Sequence, residues 1–263
     1  MMITGEIPLK SHSQSFDINH IQKVREEFAP YIQVSQKTSR HGILLDIMQS
    51  EAPLTVTQSA MFLYRGFRSG FRTLVKMVEK ENHRLQQLFP PHPSKDHFYW
   101  ELNNETHIDA LVELFGWMDT EKAHHFLMSL LKDDWHPQVR IAAVDAMAFE
   151  KDYFDSAFVL SLVKDTQSPR PQIYNALYCL MCHSSRYEAN EYCSAIEPYV
   201  LDPDWTIYLE AVQAISMKFQ GRQILRRFLV EDEKMVTKKK ELILSELEGW
   251  ESEDAEAMAE SRS

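Results

Sequence analysis

Glycine and proline are scarce in this chain: 7 Gly and 11 Pro stand among 263 residues, where average usage of about 7% and 5% would give nearly twice as many. The deficit argues against a turn-rich β-sandwich, a collagen-like chain and a Gly-Ser linker protein. Cysteine is also rare. Cys179, Cys182 and Cys193 are the full set, cannot all pair, and are far too sparse for a disulfide-stapled secreted domain. No stretch of 18 consecutive apolar residues occurs, and the start Met1-Met2-Ile3-Thr4-Gly5-Glu6 lacks the basic opening and apolar stretch of a signal peptide. A soluble, cytoplasmic protein without a membrane span is expected. H-E-x-x-H, G-x-S-x-G, G-x-x-x-x-G-K and G-x-G-x-x-G are all missing, so zincin, serine-hydrolase, P-loop and dinucleotide chemistry have no local motif to rest on.

What is present is charge, unevenly spread. The chain carries 28 Lys+Arg against 39 Asp+Glu, a formal net of −11. Residues 1–100 hold 12 basic and 9 acidic side chains (+3), and residues 101–263 hold 16 and 30 (−14). An acidic surface repels phosphate backbones and steers cationic partners, so a protein partner of basic character is expected and nucleic acid is not. With 44% apolar and 25% charged residues the composition is that of a globular chain.

Apolar spacings of three and four dominate, and the reading is all-α. Asp17 and Ser39 cap two short N-terminal helices, and a long helix follows over 57–87. Pro90, Pro91 and Pro93 break it. Beyond residue 104, short helices come in pairs over 106–117, 119–132, 137–149, 153–164, 170–183, 188–200, 204–219, 221–230 and 233–248. The domain plan is a helical region with a long basic helix at 1–89, a Pro-rich linker at 90–103, a repeat region at 104–249 and an acidic, flexible tail at 250–263.

Internal similarity is the more specific signal. Phe126-Leu127-Met128-Ser129-Leu130-Leu131-Lys132-Asp133 is echoed by Phe158-Val159-Leu160-Ser161-Leu162-Val163-Lys164-Asp165, an offset of 32. Ala143-Val144 and Ala146-Met147 return as Ala176-Leu177 and Cys179-Leu180, then as Ala211-Val212 and Ala214-Ile215, at offsets of 33 and 35. A lone helix pair leaves apolar stripes wet, whereas stacked copies join them into one core.

Leu130-Leu131-Lys132-Asp133, Pro137-Gln138-Val139-Arg140, Ala143 and Ala146 together resemble a HEAT repeat over about 119–219, similar to the compact HEAT-like units of bilin-lyase subunits and alkylpurine DNA glycosylases. The resemblance implies a short α-solenoid of stacked antiparallel helix pairs following the N-terminal helical region. It also implies that Asp133 or Asp134 and Arg140 link successive repeats by hydrogen bonds. Ile173 and Tyr208 stand where the next two copies would place that arginine.

Among candidate site residues, Trp135, Tyr174, Tyr178, Trp205 and Tyr208 fall at the start or along the second helix of each pair, the position that lines the concave side in HEAT-like folds. Rigid aromatics of this kind are frequent anchors for protein partners. Arg65, Arg68, Arg72 and Lys76 share one side of the long helix and would suit an anionic partner or the acidic tail. Cys179, Cys182, His183 and Cys193 are zinc-ligand types, but Cys179 occupies a repeat position held elsewhere by core residues, so no metal and no cofactor are expected. His107, His124, His125 and His136 cluster in sequence, yet adjacent helical residues point about 100° apart and cannot both serve one catalytic centre. The expected function is a non-catalytic protein-protein interaction module, a scaffold, adaptor or inhibitor of the immunity type. A HEAT-like glycosylase or lyase subunit is the enzymatic alternative.

Overall fold

A computed structural model describes residues 70–102, 106, 108–231 and 236–251. The two expected N-terminal helices, Arg65, Arg68, His107 and most of the acidic tail lie outside the described residues. The chain divides into two units, Met1–Thr73 and Leu74–Ser263, and the described residues belong almost entirely to the second.

All regular structure among the described residues is helical. Ten α-helices follow in order: α1 Gly70–Leu88, α2 Ile108–Met118, α3 Glu121–Leu130, α4 Pro137–Met147, α5 Ser156–Lys164, α6 Arg170–Cys182, α7 Ala189–Ile196, α8 Trp205–Ser216, α9 Phe219–Glu231 and α10 Thr237–Glu248. Short 3₁₀ turns occupy Trp100–Leu102, Ser184–Arg186 and Glu197–Leu201. No described helix is long and apolar enough to cross a membrane.

Helix starts follow local chemistry. Thr120, Asp155 and Asp204 each accept a backbone N–H of the first turn on their side-chain oxygen, satisfying donors that have no partner inside the helix. Pro137 and Pro171 stand in first turns, where a missing N–H costs nothing. The expected helix at 153–164 therefore begins three residues late, behind the Asp155 cap. The one expected at 188–200 ends at Ile196 and tightens into Glu197–Leu201, because Pro198 has no N–H to continue the α ladder.

Packing pairs sequence neighbours (α2 with α3, α5 with α6, α8 with α9), and it also joins every second helix: α2 to α4, α4 to α6, α6 to α8 and α8 to α10. Val139, Ala143, Val144, Ala146, Ala176, Leu177, Leu180, Ala211, Val212 and Ala214 are sealed between them. Small alanines at matched positions permit this close approach. Gly116 of α2 is the extreme case, since a Cβ there would stand 2.0 Å from the Ala146 carbonyl oxygen of α4.

Hydrogen bonds repeat with the sequence. Asn175 Nδ2 donates to the Ile141 carbonyl 34 residues back, and Cys179 Sγ to Val144, His183 Nε2 to Ala148 and Arg186 to Lys151 each reach 35 residues back. One unit further on, Tyr199 donates to the Val163 carbonyl and Lys218 to that of Tyr187, at separations of 36 and 31. The arginine link differs from the resemblance. Arg140 bonds Asp133 inside its own turn, and the Asp134 carbonyl accepts from Gln86 of α1. The bond between units is made by Arg170 to Asp202, because Ile173 in the next copy leaves the role to the first residue of α6.

Candidate functional site

Helices α4, α6 and α8 are each covered by neighbours on several sides, and the same positions stay partly open on all three. These are Ile141 and Asp145 on α4, Tyr174 and Tyr178 on α6, and Leu209 and Gln213 on α8, matched at offsets of 33 and 35. Together they form one strip across the packed helices α4, α6 and α8.

Beneath it a second matched set is buried: Ala142, Asn175 and Glu210. The Asn175 amide donates to the Ile141 carbonyl at 3.0 Å. Glu210 is only 5% exposed, and its Oε1 has no hydrogen-bond partner among the described residues. Burial, and secondarily the nearby Asp145 carboxylate, push its carboxyl up to about 8. An ionised carboxylate has no proton with which to imitate the asparagine amide.

Residues 94–100 add aromatic area. Lys95 Nζ donates to the Gln167 carbonyl at 2.5 Å, and the Arg170 N–H donates to Asp96 Oδ1 at 3.0 Å, tying the segment to the start of α6. Tyr99 turns inward, 5.2 Å edge-on to the buried His136 ring. Phe98 and Trp100 turn to the same side and stack at 5.2 Å, with Tyr174 edge-on to them at 6.1 and 5.9 Å. Tyr174 in turn lies within the fields of Glu210 and Asp145. Trp100 stays 53% exposed.

The aromatics expected to act together separate into three places. Tyr174 and Tyr178 belong to the strip, and Tyr178 shares a hydrogen bond with Cys182 one turn later. Trp135 is half-buried in the turn before α4, edge-on to Phe126 of α3 at 6.4 Å. Trp205 tilts onto Tyr208 at 5.4 Å, and Lys238 Nζ stands 4.4 Å from the Trp205 ring centre. Tyr208 is a core residue. It is fully buried, its hydroxyl donates to the Lys239 carbonyl at 2.7 Å, and Lys239 Nζ lies 4.3 Å from its ring centre. Arg72 and Lys76 are exposed on α1, opposite the buried Leu74, Met77 and Val78.

The histidines hold structure. His136 caps α4 by accepting the Gln138 N–H on Nδ1, and its Nε2 donates to the Phe89 carbonyl at 2.8 Å. The bond accepted at Nδ1 requires the neutral ring, in keeping with burial that lowers its proton affinity. His124 Nδ1 sits 3.0 Å from a carboxylate oxygen of the buried Glu150, whose carboxyl burial pushes up. Cys179 is fully buried, and His183 stacks on Phe154 at 3.8 Å.

Trp100, Phe98 and Glu210 escaped the sequence reading. Glu210 carried a usable signal, since the offsets of 33 and 35 align it with Ala142 and Asn175 and so mark a charge on a buried register. Trp100 carried none beyond the aromatic run Phe98-Tyr99-Trp100 after three prolines. Compared with family models, with curated proteins and with solved structures, this chain finds no match.

Proposed function

We propose that this chain is a non-catalytic binding module whose helix pairs stack as a short HEAT-like solenoid, and that the α4–α6–α8 strip receives a basic protein partner. The supporting observation is that α4, α6 and α8 leave the same two positions open, and that the row they form sets two tyrosines and an acid among aliphatic and amide side chains: Tyr174, Tyr178 and Asp145 with Ile141, Leu209 and Gln213, and Glu210 beneath. A surface set on packed helices is ordered before its partner arrives, so little entropy is lost on association. The excess of acidic groups in residues 101–263 accelerates encounter with a cationic partner and makes the rate fall with salt.

The test is affinity capture with the tagged chain against an Asp145→Lys/Tyr178→Ala double variant, with helical content followed by circular dichroism. The double variant is expected to keep its helical signal and lose the captured partner. Equal capture by both proteins would overturn the reading.

A further inference from the structure

Buried carboxylates are normally paired, and Glu210 Oε1 is not, among the described residues. Asp145, a charge of the same sign, acts on it as well. The fold thus buries the Glu210 carboxyl beside α6 and leaves its Oε1 without a hydrogen-bond partner among the described residues. Tyr174 lies within its field, and the rings of Trp100 and Tyr174 stand 5.9 Å apart. Elsewhere in the unit, aromatic rings meet the protein's own cations, with Lys238 at Trp205 and Lys239 at Tyr208. Among the described residues no basic side chain does the same for Trp100 or Tyr174.

We propose that Glu210, with Trp100 and Tyr174, forms a recognition site for the guanidinium group of an arginine side chain on the partner. The proposal rests on the strip being a protein-binding surface and adds the group that is recognised there. Three features select guanidinium over ammonium. It is planar and stacks on an aromatic face while its fork bonds a carboxylate. It is weakly hydrated, so it gives up less on reaching a group as deep as Glu210, which is 5% exposed. Its five donors in a fixed fork can bond a carboxylate through two parallel hydrogen bonds, where the compact ammonium is a point charge. Trp100, 53% exposed, supplies a solvent-accessible ring edge-on to Tyr174.

The experiment uses the full chain with 5-fluorotryptophan, whose Trp100 resonance is assigned by Trp100→Phe. The probes are the blocked amino acids N-acetyl-arginine methylamide and N-acetyl-lysine methylamide, followed by fluorine NMR. The arginine probe is expected to shift the Trp100 signal saturably. Binding should weaken at least about tenfold for the lysine probe and in Glu210→Gln, the loss appropriate to a charge-assisted hydrogen bond. Glu210→Gln replaces a buried, ionisable carboxyl with an amide of the same shape, and its fold is checked by thermal melting. Trp100→Ala, at an exposed position, gives a second variant that should fold and lose the probe. A Trp100 signal that ignores arginine, responds equally to lysine, or responds unchanged in Glu210→Gln overturns the proposal. Retained partner capture beside such a result would leave the binding-module reading standing.

Discussion

Position 210 shows how one side chain sets both a liability and a use. Its counterparts Ala142 and Asn175 are buried at no charge cost, and Asn175 also donates to a neighbouring carbonyl. Glu210 in the same place holds its proton up to about pH 8. The folded state therefore keeps a proton that the unfolded chain releases near its ordinary value of 4.5. Between these two values stability falls as pH rises, by as much as roughly 1.4 kcal/mol per unit, and above about 8 the contribution is flat. Glu210→Gln is expected to remove this slope and to unfold at higher urea concentration than the parent at pH 8 to 9. Urea titrations across pH 5 to 9 measure it, and parallel curves for both proteins would show that Glu210 is not desolvated. His136 titrates in the opposite sense. Burial lowers its proton affinity in the fold, so its contribution is present above the unfolded value of 6.5 and is lost as pH falls below it.

Among elements, the α2–α4 contact is the tightest place to probe. Gly116 has no room for a methyl group, with the Ala146 carbonyl oxygen 2.0 Å and its carbon 2.9 Å from an added Cβ. Alanine is the better helix former by about 1 kcal/mol, but parting two helices costs more, since overpacking typically costs about 1–3 kcal/mol and backbone cannot swing away as a side chain can. Gly116→Ala is expected to lower the melting temperature by several degrees. Gly249→Ala, whose Cβ would meet only the Glu246 carbonyl at an ordinary 3.5 Å, should match or slightly exceed the parent. Thermal melts of the pair separate packing from propensity. If Gly116→Ala were as stable as Gly249→Ala, the two helices would be free to shift. Helix existence in this region was legible because apolar spacing and cap residues act locally. Pro198 and Asp155 mark boundaries that apolar spacing alone does not place, because a missing N–H and a side-chain cap act at single residues.

For the unit as a whole, α2, α4, α6, α8 and α10 lean on one another in sequence, so stability is expected to pass from neighbour to neighbour. Helix α10 seals α8: Tyr208 donates to the Lys239 carbonyl, Lys239 Nζ to that of Asp202, and Ser216 lies 3.4 Å from Glu246. Deleting residues 236–263 should raise amide hydrogen exchange most in α8, less in α6 and least in α4. A uniform rise along the unit would show all-or-none folding instead.

The all-helical class, the approximate span of nearly every described helix and the period of the repeat could be read directly from residue order, since each depends on neighbours within one or two turns or on self-similarity along the chain. The location of the open strip could not. Tyr208 and Tyr174 are both tyrosines on the second helix of a pair, yet one is sealed under α10 and the other faces Trp100, because burial depends on which distant segment covers a side chain. The same holds for Glu210 and for the 94–100 segment, whose meeting with α6 joins residues more than seventy positions apart through Lys95, Asp96, Gln167 and Arg170. Periodicity is a property of the chain, whereas exposure and charge environment are properties of its contacts, and those exist only once the helices have packed.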